Sequence, residues 1–158
     1  MFQENEFYLM NKNRIVARFE SCRNQYREVS FRLKKQEGQF PIGFTDLGQW
    51  LENRQAPKHR AHIESLLRSI GCNDLDGYIR ITHALTLNDS FWAKPITSEL
   101  KWEEVSLFQN EFDSTIAHIA FEGGLYGEQF TTTSPEFGTD GAFAKCWIRE
   151  KDGIYLLK

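Results

Sequence analysis

Cysteine is scarce in this chain, and its three copies, Cys22, Cys72 and Cys146, are odd in number, far apart and without C-x-x-C spacing. That excludes a disulfide scaffold or a zinc knuckle and reads as free thiols in a reducing cytoplasm. No apolar run approaches the length of a spanning helix, and Met-Phe-Gln-Glu-Asn-Glu at the start carries acid where a signal peptide needs positive charge. The chain is therefore read as a cytoplasmic protein with no membrane partner. A basic excess is also missing: the formal charge is −3, which argues against a dedicated nucleic-acid binder. Internal repeats and low-complexity tracts are absent as well.

What is present is aromatic. Phe, Trp and Tyr make up 14% of 158 residues, 13 of them Phe, so the core is expected to be built from large flat side chains with some left for an interaction face. The length suits one domain able to bury a core without staples.

The first third alternates. Phe7–Met10 and Ile15–Phe19 flank the turn-prone Asn11-Lys12-Asn13, and Val29, Phe31 and Leu33 share one face of a third strand. Residues 38–45, with Pro41 and Gly43, form a loop and a soft subdomain boundary, β-rich before it and helical, then hairpin-forming, after it. Thr45 is placed to cap a helix carrying Leu47, Trp50 and Leu51. Pro57 ends that helix and starts a second with Ile63, Leu66, Leu67 and Ile70, which Gly71 terminates. Asn73 is placed to cap a third through Leu75, Tyr78, Ile79 and Thr82. Leu85–Pro95 reads as a loop whose aromatics plug the core. Trp102, Val105 and Phe108 fit one or two helical turns, and Ser114 can cap a further helix that Gly123-Gly124 stops. The predicted class is α+β: small antiparallel sheets with several short helices, closing in a β-hairpin.

Lys58, His59, Arg60 and His62 cluster at a helix start, which can signal DNA recognition. The acidic total and the unfavourable helix dipole favour a solvated face instead. His59 and His62 lack a third residue of matching spacing to complete a metal site.

The closing stretch carries the sharper chemistry. Thr131 to Gly141 is a polar loop with Gly138 and Gly141 three residues apart; a strand, a Lys151-Asp152-Gly153 turn and a return strand to Lys158 follow. Glycines and small hydroxyl residues let backbone N–H groups approach phosphate oxygens, and a lysine on a neighbouring strand adds a point charge. A surface hairpin that happens to end in lysine fits the same spacing.

Three strings together carry a resemblance: Leu85-Thr86-Leu87-Asn88-Asp89-Ser90-Phe91-Trp92-Ala93-Lys94-Pro95, the Lys101-Trp102-Glu103-Glu104-Val105 after it, and the segment from Thr133 to Arg149. With Trp50 to Arg60, they resemble the N-terminal part of bacterial HipA-like serine/threonine kinases of the toxin-antitoxin family. The resemblance implies a kinase N-lobe-like fold in which the loop Ser134–Gly141 covers the ATP phosphates, through Ser134, Gly138, Thr139, Asp140 and Gly141, and Lys158 pairs with them. It also implies autophosphorylation at Thr133 or Ser134, which ejects the loop. Catalytic Asp and Mg²⁺ ligands come from the lobe after the lysine in such kinases, and this sequence stops at the lysine. The expectation is thus an ATP-clamping front lobe with no phosphoryl transfer of its own, completed by a catalytic lobe in cis or in trans. The alternatives are a stand-alone antitoxin or regulator that docks on a kinase toxin, and a DNA-binding regulator of a mobile element.

Overall fold

The computed structural model describes residues 5–55, 67–68, 71–111 and 146–157. The chain opens as an antiparallel meander of β1 (Glu6–Asn11), β2 (Arg14–Arg23) and β3 (Val29–Gln36). Lys12 turns the first corner in the left-handed region, at φ 50°. Two bulges shape the sheet. Leu9 faces Ala17 while Met10 faces Ile15, which leaves Val16 as the extra residue; Phe19 faces Leu33 while Arg18 faces Lys35, which leaves Lys34.

Two helices follow, each starting one residue later than the sequence suggests. Asp46, not Thr45, caps α1 (Leu47–Arg54), its Oδ1 accepting from Gln49 N. Asp74, not Asn73, caps α2 (Leu75–Thr82), accepting from Gly77 N. In both cases the helix begins at an apolar residue, and the carboxylate directly before it is the acceptor in reach. Between them, Leu67 and Arg68 are helical, and Gly71 at φ 83° terminates that turn: Gly71 N donates to Arg68 O and Cys72 N to Leu67 O.

Leu85–Pro95 corrects the loop expectation. Its second half is a strand, β4 (Phe91–Pro95), antiparallel to β1 with Phe7 opposite Pro95 and Asn11 opposite Phe91. The sheet order is β3-β2-β1-β4. A single turn of helix, α3 (Trp102–Val105), comes next. The hairpin of β5 (Cys146–Glu150) and β6 (Gly153–Leu157) forms a separate two-stranded sheet. The described architecture is α+β.

The four-stranded sheet is covered on both faces. Phe7, Leu9, Ala17, Phe19 and Ala93 point to a first core with Leu47, Trp50 and Leu51 of α1 and Tyr78 and Ile79 of α2. Period-two alternation sends Met10 and Trp92 to the other face, where they meet Leu85, Trp102, Val105 and Leu107. The loop after β3 belongs to the first core: Phe40 and Phe44 stack at 4.4 Å and lean on Phe19. Phe44 N donates to Pro41 O across a turn whose third residue, Gly43, sits at φ 77°, a conformation that suits glycine.

Candidate functional site

The closing hairpin is the described part of the predicted nucleotide clamp. Lys151 and Asp152 make the turn, and the register runs from Glu150 opposite Gly153 to Cys146 opposite Leu157. The chain therefore enters β5 and leaves β6 at the same end of the hairpin. Arg149 Nη2 donates to Leu107 O at 2.6 Å and ties the hairpin to the second core. Tyr155 and Leu157 are 45% and 43% exposed, an apolar face left toward solvent. Thr133, Ser134, Gly138, Thr139, Asp140, Gly141 and Lys158 lie outside the described residues, as do Pro57, Lys58, His59, Arg60, His62, Ser114 and Gly123.

The strongest polar constellation in the described chain is one that spacing did not reveal. Arg54, at the end of α1, is 8% exposed. Its Nε donates to Ala84 O (2.8 Å), Nη1 to Asp89 Oδ2 (2.8 Å), and Nη2 to Thr86 Oγ1 (3.1 Å), Asp89 Oδ1 (3.1 Å) and Phe91 O (3.0 Å). The guanidinium also lies 4.3 Å from the Trp50 ring centroid. Asp89 Oδ1 further accepts from Phe91 N at 2.9 Å, which shapes the entry to β4. Thus the polar letters of the Leu85–Pro95 string hold a buried arginine. Every guanidinium nitrogen is engaged within the protein, so this cation holds β4 in place and is not offered to a phosphate. The signal for it was an arginine four residues after Trp50, on the apolar side of its helix.

A second network pins α2 to β2. Arg23 Nη1 meets Asp74 Oδ2 at 2.6 Å, Arg80 Nε meets Asp76 Oδ2 at 2.9 Å, and Ser21 Oγ donates to Asp76 Oδ1 at 3.2 Å. Two carboxylates this close could suggest acid–base work. Partial burial pushes the Asp74 carboxyl upward, yet the Gly77 N–H and the Arg23 guanidinium outweigh it and hold the group below the usual carboxylate range. It is an ionised cap at physiological pH and no proton donor.

On the opposite face, Trp92 Nε1 donates to Lys12 O at 2.8 Å, and Asn13 Oδ1 accepts from Trp102 N at 2.8 Å. The β1–β2 turn thereby fixes both tryptophans. Lys94, 9% exposed, donates to Leu100 O at 2.7 Å, and burial lowers its pKa. His83 ends α2 at φ 54°, with its ring edge-on to Trp92 and Nδ1 3.3 Å from Ala93 O. Burial lowers the His83 pKa, and the Lys94 charge acts in the same direction. The Cys72 thiol is pushed up to about 11 by burial, which leaves it protonated and unreactive.

The chain matches no family model, no curated protein and no solved structure. Among the described residues, no cluster of three His, Cys, Asp or Glu side chains could hold a metal ion, and no helix is long and apolar enough to cross a membrane.

Proposed function

We propose that this chain is the N-terminal, ATP-clamping lobe of a HipA-like serine/threonine kinase, working with a catalytic lobe in cis or in trans. The reading rests on the resemblance of Leu85–Pro95, Lys101–Val105 and the segment from Thr133 to Arg149, and the closing hairpin, with Cys146 opposite Leu157, is compatible with it because chain entry and exit lie at one end. A phosphate-covering loop ahead of β5 and a lysine after β6 require that arrangement. The hydrogen bond from Arg149 to Leu107 O and the exposed Tyr155 and Leu157 would supply an anchor and an apolar surface for a second lobe. Loop residues Ser134, Gly138, Thr139, Asp140 and Gly141 would offer backbone N–H groups to the phosphates and Lys158 its charge. Thr133 and Ser134 are the candidates for autophosphorylation. Mg²⁺ ligands and the base would come from the catalytic lobe.

The test is calorimetric titration of Mg-ATP into this chain extended by a catalytic lobe, with and without Lys158→Met. The reading expects binding that weakens by about tenfold or more on loss of the lysine. Equal affinity in the two proteins would falsify it.

The apolar hairpin face favours one second reading, a separately made regulator that docks on a kinase toxin in trans. Pull-down with this chain as bait then recovers a kinase, and Tyr155→Ser abolishes the recovery. A bait that returns no kinase sinks this version.

A further inference from the structure

The segment 23–37 carries five Lys and Arg against two Glu in a chain whose formal charge is −3. It builds the end of β2, the following turn and β3. β3 is an edge strand: among the described residues its only strand partner is β2. All its residues except Val29 and Phe31 are exposed. The Lys34 bulge sharpens the contrast between its two faces. Arg32 and Lys34 both reach the Glu20 carboxylate, and Lys35 stands opposite Arg18, so three cations gather on the outer face. Two carboxylates meet them, Glu20 shared by Arg32 and Lys34, and Glu37 paired with Lys35 at 2.9 Å, so the cations stay in excess by one. Leu33 turns to the other face, opposite Phe19 and 48% exposed, and the Phe19 ring packs on half-buried Phe40 and Phe44.

We propose that the β3 edge is a docking site for an extended peptide segment of a partner protein, one that alternates acidic and apolar side chains and adds as a fifth strand. Successive side chains of an added strand fall on opposite faces. In that register one acidic group meets Arg32 and the next meets the Lys34–Lys35 pair that the bulge brings together, while apolar groups cover Leu33 and the phenylalanines behind it. The backbone edge supplies the ladder. A second copy of β3 in the same place would set cations against cations across the new pair. A nucleic acid would use the cations and leave both Leu33 and the ladder unused. The proposal is independent of the kinase reading.

Fluorescence anisotropy of the full chain with two fluorescein-labelled peptides tests it, one alternating Glu with Val and one alternating Lys with Val. Saturable binding of the Glu–Val peptide alone is expected. Combining Arg32→Glu with Lys34→Glu should weaken it by about tenfold or more and confer binding of the Lys–Val peptide. Leu33→Asp, at an exposed site, should weaken the Glu–Val peptide without touching the cations; circular dichroism checks that each variant is folded. No binding at millimolar peptide, equal binding of the two peptides, or an unchanged affinity in the charge-reversed protein overturns the proposal. So does displacement of the peptide by a duplex oligonucleotide, or a dimer that the same substitutions dissociate.

Discussion

In the sheet body, buried polar groups are matched inward: Arg54 is surrounded by Asp89, Thr86 and two carbonyls, and Glu6, 2% exposed, is met by Arg18. In the closing hairpin the emphasis is reversed. Its described side chains include exposed Tyr155 and Leu157, and Arg149 ties it to the body through a hydrogen bond to Leu107 O. The buried polar groups of the body are used up in holding it together, while its β3 edge keeps Arg32, Lys34 and Leu33 toward solvent. The hairpin, whose described part has few such polar ties, presents Tyr155 and Leu157 on one face, as the β3 edge presents Leu33.

Arg54→Ala should break this contrast most severely. It removes the donors to the carbonyls of Ala84 and Phe91 and leaves the Asp89 carboxylate with only the Phe91 N–H, and a loss of about 2–4 kcal/mol is expected in urea unfolding. Arg54→Lys should recover only part of it, since one ammonium cannot span the same acceptors.

A smaller effect is expected from acid. His83 titrates below its ordinary value in the folded protein, so its contribution to stability is complete above the unfolded pKa of about 6.5. That contribution falls as pH drops from there through the lower folded value. Melting temperature followed from neutral pH downward should decline, and His83→Asn, which tolerates the left-handed φ of 54°, should flatten the decline across that window. An unchanged slope in the variant would show that the ring is not the titrating group.

Tyr155→Ser should have the smallest effect, about 1 kcal/mol, because nearly half of the side chain is exposed. A substantial loss of stability would erase the contrast between body and hairpin.

Where local pattern decided the structure, the sequence was readable. Val29, Phe31 and Leu33 do share a face, Gly71 does end a helix, and Lys151-Asp152-Gly153 does turn the closing hairpin. The cap positions slipped by one because two adjacent residues in each case, Thr45 and Asp46 or Asn73 and Asp74, can both accept, and only the first helical residue decides between them. β4 was hidden because five residues, Phe-Trp-Ala-Lys-Pro, are too few to display alternation, and their partner strand lies far upstream. Arg54 was hidden for a related reason: its acceptors lie 30 to 37 positions later, from Ala84 to the first residue of β4, and no local spacing rule connects them. The predicted clamp residues from Thr133 to Gly141, with Lys158, lie outside the described residues.

Arg54 also bears on the order in which the chain assembles. β1, β2 and β3 close through short turns, whereas the contact between Trp92 and Lys12 spans 80 positions. Once α1 has docked on the meander, the Arg54–Asp89 contact returns β4 across only 35 positions. The shorter closure saves about 0.7 kcal/mol of chain entropy. Loss of the arginine should therefore slow the docking of β4 as well as loosen the finished sheet.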